Sequence, residues 1–315
     1  MNIIQLSKHM NISGVNSHII ELSRVLKLEG HNVIVVSSGG PHTKRLDELG
    51  ILHIQIPFRS RNPIQQFSNL VRLARVIRKN RIDVIHIHWR SMGIYVKILT
   101  YFLNIKYVWT NHLNHIPSSF LYRKFTYFGE FAITVSKDMI PMLRDRLRIP
   151  ESKIKVIYNG IQADRYVQYS EERKTKLKKK YKINDEIVIC VLSRLERIKG
   201  HLFLLDALNE LKSGLNQQVK LKILFTGNGP DDYKKELIEK SKEFDLINDI
   251  DFVGYVDPVD VLNITDVMVL PSKNEGFPIS CIEAFALRVP VIRTKTGGDT
   301  DMKYYCIGVN YGDIN

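Results

Sequence analysis

Short runs of branched apolar residues alternate along the chain with longer stretches whose apolar positions recur at helical spacing. Val33–Ser37, Val84–His88, Tyr107–Thr110 and Ala132–Val135 predict buried parallel strands in the first half. Ile187–Leu192, Leu221–Phe225, Ile250–Val253, Val267–Leu270 and Val289–Ile292 predict their counterparts in the second. Ser17–Leu28, Asn69–Lys79, Phe203–Leu211 and Tyr233–Phe244 read as the intervening helices. The opening residues Met1 to Leu6 read as a first strand, too short and uncharged in front for a signal peptide. Strand–helix alternation implies doubly wound parallel sheets with right-handed crossovers. A length of 315 residues suits two such domains. The polar, lysine-rich segment Ser170–Lys182 interrupts the apolar strands, and the expected domains are residues 1–168 and 169–315.

Composition narrows the setting. Three widely spaced cysteines, Cys190, Cys281 and Cys306, have no zinc spacing and fit a reduced, cytoplasmic compartment. The longest apolar candidate, Met92 to Trp109, is interrupted by Lys97, Asn104 and Lys106 and does not reach spanning length, so the chain reads as soluble or at most peripheral. The net charge of +13 is unevenly spread. Through residue 165 there are 24 Lys and Arg against 10 Asp and Glu, or +14, and after it 22 against 23, or −1. A basic first half points to an anionic partner: nucleic acid, anionic lipid or a phosphorylated substrate. No nucleic-acid-binding motif accompanies the charge.

Doubly wound sheets bind ligands outside the carboxyl ends of their strands, so the residues just after each strand matter most. Arg194 and Lys199, in Ser193-Arg194-Leu195-Glu196-Arg197-Ile198-Lys199-Gly200, are placed to neutralise a diphosphate, one as a planar fork and one as a point charge, or else are two solvated cations. Gly227-Asn228-Gly229-Pro230 permits close backbone approach but lacks a dinucleotide fingerprint. The most informative segment runs from Asp266 through Pro271, Glu275, Gly276, Phe277 and Pro278 to Glu283 and Ala284. Pro278 suits a first helical position, which would leave the amides of Ile279 and Ser280 as an anion site. Glu275 before that helix and Glu283 on it offer two acceptors for hydroxyls in a cleft, or else are a loop cap and a surface helix residue. Asp249-Ile250-Asp251 and Asp299-Thr300-Asp301 each spell D-x-D but read as turn residues; His86 and His88 share a strand face with no third ligand evident, so no metal is expected.

Taken in order, Arg-x4-Lys-Gly, Gly-x-Gly-Pro, Glu-Gly-Phe-Pro-x4-Glu-Ala and Pro-Val-Ile…Gly-Gly resemble the retaining GT-B glycosyltransferases of family 4. Ser13-Gly14-Val15-Asn16-Ser17-His18, Asp83 to His88, Val135-Ser136 and Tyr158-Asn159-Gly160-Ile161 extend the resemblance over nearly the whole chain. The resemblance implies two Rossmann-like domains facing a central cleft, the first taking an acceptor and the second a nucleotide-sugar donor. It implies that Arg194 and Lys199 hold the diphosphate, Glu283 the ribose and Glu275 the sugar hydroxyls, with Gly276, Phe277 and Ile279 lining the same site. The base would lie by Phe252 to Tyr255, Gly14 would let a first-domain loop approach the phosphates, and His112 matches a histidine facing the donor sugar. Family members continue past the position of Asn315 into further C-terminal helices, so the chain reads as truncated there, and Arg288 stands where the family usually places glycine.

The implied reaction is front-face transfer with retention, the departing diphosphate helping to deprotonate the acceptor, and no cofactor beyond the donor itself. Family acceptors are often glycans or lipid-linked saccharides at the inner face of the plasma membrane. Arg72, Arg75 and Lys79 recur at helical spacing opposite Leu70, Leu73 and Ile77, with Arg59 and Arg61 ahead of them, and this basic face could dock on anionic lipid. A nucleotide-sugar epimerase of the same architecture, or a non-catalytic partner subunit, would share most of these features.

Overall fold

The computed structural model describes residues 1–60, 62–113, 120–214 and 219–314, so Arg61 and Asn315 lie outside the described residues. The chain packs as two compact units, Met1–Gly160 and Ile161–Asn315.

In the first unit the strands are β1 (Asn2–Leu6), β2 (Asn32–Ser37), β3 (Leu52–Gln55), β4 (Val84–Ile87), β5 (Lys106–Asn111), β6 (Ala132–Thr134) and β7 (Ile154–Val156). They form one parallel sheet in the order β3-β2-β1-β4-β5-β6-β7. In the second unit β8 (Ile187–Val191), β9 (Leu221–Thr226), β10 (Ile250–Gly254), β11 (Val267–Leu270), β12 (Val291–Thr294) and β13 (Ile307–Val309) are also parallel. Their order is β10-β9-β8-β11-β12-β13. The strand order therefore reverses between β1 and β4 in one sheet and between β8 and β11 in the other, and such switch points open the crevices where doubly wound folds bind ligands.

Every strand expected from the sequence is present, β12 starting two residues late, at Val291. The unexpected ones, β3, β7 and β13, are short strands at sheet edges, none with a fully buried run. Both faces of each sheet are covered. Ile4, Leu6, Ile34, Val36, Ile85 and Ile87 pack with Leu73 and Ile77 of helix Pro63–Lys79, while Val35 on the opposite face meets Ile19 and Ile20 of helix Gly14–Leu28. Helix Pro63–Lys79 begins six residues ahead of the expected start at Asn69 because Asn62 caps the amide of Ile64 at 2.9 Å and Pro63 takes the first turn.

The lysine-rich segment is not a break. Glu171–Lys180 is a helix capped by the Ser170 hydroxyl, with Glu171 and Glu172 at its positive end and Lys178 to Lys180 at its negative end. None of its residues is buried, which is why no apolar periodicity announced it. The residues just before it pack with the second unit, where the Asn263 side chain accepts the Tyr169 amide at 2.7 Å.

Arg288 has a positive φ of 58°. It follows helix Ile279–Ala286, and the amides of Arg288 and Val289 return to the carbonyls of Phe285 and Ala284 at 3.0 and 2.9 Å. This is a helix stop that wants a left-handed residue, which explains the family's glycine in terms of backbone rather than packing.

Candidate active site

In the second unit the loops after β8 and β11 meet at the switch point. The chain leaves β8 through Ser193 and Arg194, makes a 3-10 turn at Arg197–Lys199, and enters helix His201–Gly214 through Gly200. Gly200 has φ +74°, and a Cβ there would stand 1.9 Å from the carbonyl oxygen of Pro271. The backbone after β8 thus lies directly on the backbone after β11, and the Lys273 amide closes the contact by donating to the Ile198 carbonyl at 2.8 Å. Gly297 does the same from the β12 side, where a Cβ would lie 2.2 Å from the Glu275 carbonyl oxygen. Three loops are stacked backbone to backbone, which fixes Lys199 and Glu275 relative to each other.

Their side chains are joined. Lys199 Nζ donates to Glu275 Oε1 at 2.7 Å, with side-chain exposures of only 18% and 12%. The sequence suggests separate tasks for these residues; the structure makes them one ion pair, each neutralising the other. Arg194 is exposed and pairs with Glu196 two residues on. Glu275 is followed by buried Gly276, half-buried Phe277 and helix Ile279–Ala286. Pro278 is this helix's N-cap, with ψ 116°, rather than its first helical residue. No side chain caps that end, so the amides of Ile279 and Ser280 begin the helix without a side-chain acceptor.

Glu283, one turn further on, accepts a 2.6 Å hydrogen bond from the Tyr166 hydroxyl. Burial pushes its carboxyl above the usual carboxylate range, against the pull of the Tyr166 bond and nearby Arg165. Arg165 itself is tied to Asp257 at 2.6 Å. Tyr166 went unnoticed in the sequence because it lies in the connecting segment, where no periodicity marks a partner 117 positions away. Tyr255, after β10, is 58% exposed. The first D-x-D pair does not come together with these groups: Asp251 pairs with Lys222 at 3.0 Å and Asp249 with Lys212 at 3.8 Å.

In the first unit the switch point between β1 and β4 holds imidazoles. His88 follows β4 and is buried, His86 lies on β4, His112 follows β5, and His18 comes from helix Gly14–Leu28. The His86 and His88 ring centroids are 4.2 Å apart, those of His88 and His112 5.4 Å, and those of His18 and His112 5.0 Å. The fold does not complete the His86–His88 pair but groups other rings: ring nitrogens of His18, His88 and His112 all lie within 4.8 Å of one another. A tetrahedral ion with Zn–N bonds of about 2.0–2.1 Å needs its ligand nitrogens roughly 3.4 Å apart, so the group would have to close to hold one. Desolvation lowers His18 to about 4 and His86 to about 3, and holds His88 and His112 well below the usual imidazole value, so all four are neutral near pH 7. Gly14 is the first residue of its helix rather than part of a loop, and nothing lies within 4 Å of where its Cβ would be.

Comparison with known proteins agrees with this architecture. The model for Glycosyltransferase Family 4 matches residues 12–165, and that for glycosyl transferases group 1 matches residues 173–302. The chain is 25% identical to the capsular polysaccharide biosynthesis glycosyltransferase CapH of Staphylococcus aureus, over 97% of this chain and 84% of that one. The crystal structure of a glycosyltransferase from Rickettsia africae superimposes with a TM-score of 0.86 at 27% identity, covering 99% of this chain and 85% of that one. HepE of Anabaena, solved in complex with UDP, shares the fold with a TM-score of 0.85 at 20% identity, over 100% and 87% of the two chains. With two Rossmann-like parallel sheets of seven and six strands and both family models matched in sequence order, the chain is a GT-B protein and belongs to glycosyltransferase family 4.

Proposed function

We propose that this glycosyltransferase moves a sugar, with retention of configuration and without a metal, from a nucleoside diphosphate sugar to a glycan or lipid-linked acceptor in bacterial cell-surface polysaccharide synthesis. The observation that carries the reading is the part-buried Lys199–Glu275 pair, set beside an uncapped helix N-terminus at the switch point of the second sheet. A diphosphate arriving there meets Lys199, Arg194 and the amides of Ile279 and Ser280. As Lys199 turns to the phosphates, Glu275 is released to accept from sugar hydroxyls, while Glu283 serves the ribose and Tyr255 and Gly254 border the base. By the family's pattern Gly14 and His112 also serve the donor. The donor-sugar bond breaks as the acceptor oxygen attacks the same face, and the diphosphate takes up both the bond's electron pair and the acceptor proton. Once turned to the bound phosphates, these cations stabilise the growing negative charge without further reorganisation during the chemical step.

The capsular relative supports a surface glycan as product. Membrane attachment at the cytoplasmic face fits the first unit: Arg72, Arg75 and Lys79 are exposed on helix Pro63–Lys79. Near the start of that helix an apolar groove of about 510 Å³ is lined by Phe58, Phe67, Leu70 and Ile98 and edged by Lys8 and Arg59. Among the described residues no helix is long and apolar enough to cross a membrane.

Thermal-shift titration with UDP-, GDP- and ADP-sugars tests donor binding. A matched donor at 100 times its Kd stabilises the fold by about 2.7 kcal/mol, and no shift with any of the three refutes the reading. Arg194→Ala should lower turnover by about 100- to 1000-fold, and wild-type turnover in that variant removes Arg194 from the site. Incubation with donor alone should leave its sugar configuration unchanged, whereas a new epimer would identify an epimerase.

A further inference from the structure

The imidazoles of the first unit are linked in a definite direction. His88 Nε2 lies 2.6 Å from Gln5 Oε1, and Gln5, on β1, is fully buried. An amide oxygen only accepts, so the proton of this bond sits on His88 Nε2. A second proton on the ring would place an imidazolium in a dry pocket among His18, His86 and His112, which is why His88 stays neutral and its Nδ1 is a bare lone pair. His112 Nε2 lies 3.1 Å from that lone pair. It must therefore be the donor, and His112, neutral as well, is left with Nδ1 as its acceptor.

We propose that Gln5 and His88 form a neutral hydrogen-bonded relay that fixes His112 as the tautomer protonated on Nε2 and bare at Nδ1, so that Gln5 is a positioning residue for His112. The relay is independent of the donor site; its catalytic meaning rests on the reading that His112 serves the donor sugar. With the tautomer fixed, His112 offers the sugar an acceptor for a hydroxyl proton and not a second donor or a cation. A carboxylate in place of Gln5 would raise the basicity of His88 and, through it, of His112. A neutral amide supplies direction without that charge.

His86 stands outside the relay. Its Nε2 is engaged with the Thr110 hydroxyl at 2.6 Å, so it competes for neither Gln5 nor His112. The β1–β4 pairing places Gln5 directly opposite His86, so β4 cannot slide against its neighbours without breaking the His88–Gln5 and His86–Thr110 bonds.

Two-bond 1H–15N spectra of the full wild-type chain, assigned with single histidine variants, read the tautomers directly. His88 and His112 should both show a protonated Nε2 and an unprotonated Nδ1 at pH 7. His88 protonated on Nδ1, with His112 bare at Nε2, overturns the relay. Gln5→Leu should scramble the tautomers and lower kcat about tenfold, what one oriented hydrogen bond is worth. Gln5→Glu should preserve the tautomers while moving the acid limb of the kcat–pH profile upward, a shift that a merely structural Gln5 would not produce. If the tautomers are as stated but His112→Ala leaves kcat unchanged, the role of His112 at the sugar fails while the relay stands.

Discussion

Replacing Lys199 with alanine separates what the Lys199–Glu275 pair does for the fold from what it does for the reaction. At 2.7 Å and an effective dielectric of 20, the two charges attract by about 6 kcal/mol, much of it offset by the loss of their hydration. Lys199→Ala deletes the attraction but leaves the Glu275 carboxylate in the same nearly dry position. The expected net cost is about 3 kcal/mol, at the lower end for buried pairs because a little of each side chain reaches solvent. For a unit of this size that is roughly 10 °C in melting temperature. Lys199→Met combined with Glu275→Leu leaves no buried charge, and its stability should return to within about 1 kcal/mol of wild type. Both variants should be inactive. Calorimetry reads the transition of the second unit, and tryptophan emission identifies that of the first, since Trp89 and Trp109 both belong to it. A double variant as unstable as the single one, or a Lys199→Ala protein melting like wild type, refutes the reasoning.

Arg288→Gly should raise stability by about 0.5–1 kcal/mol in urea unfolding, because φ 58° strains any residue with a Cβ and glycine adopts it freely. Glu283 has a raised carboxyl pKa, so the native state holds its proton more tightly than the unfolded chain does, and stability falls as pH rises from the unfolded value through the folded one. Glu283→Gln should flatten that slope above the unfolded carboxylate pKa and leave the protein at least as stable at pH values above the folded one, while weakening nucleotide binding in calorimetry. For the membrane, vesicles rich in anionic lipid should float the wild-type chain at low salt, and Arg72→Glu with Arg75→Glu and Lys79→Glu should abolish flotation, each lost cation being worth about 1 kcal/mol. Equal flotation of both proteins would remove that face from the interface.

Much of the architecture is written in local patterns. Buried parallel strands are continuous apolar runs, so Val267–Leu270 was legible to the residue and Ala132–Thr134 nearly so. The edge strands β3, β7 and β13 were not, because a strand with one neighbour and an exposed flank needs no such run. The helix Glu171–Lys180 buries nothing and is held by its cap and charges, which hydrophobic periodicity cannot register. At the candidate site, order and spacing named Arg194, Lys199, Glu275 and Glu283. They could not reveal that two of these face each other, or that Tyr166 reaches Glu283, since both depend on crossovers folding distant segments together. The four histidines show the same limit: His86 and His88 alternate visibly on one strand, but His18 and His112 join them only once β1, β4 and β5 lie side by side.

The glycines that stack the three loops have a practical consequence for redesign. Where Gly200 touches Pro271 and Gly297 touches Glu275, backbone meets backbone with no side chain between to absorb an adjustment. An insertion or deletion in any one of these loops would displace its neighbours as well. Attempts to retarget the site are therefore best confined to positions whose side chains are exposed, such as Tyr255, and libraries that vary loop length here should yield mostly unfolded or inactive chains.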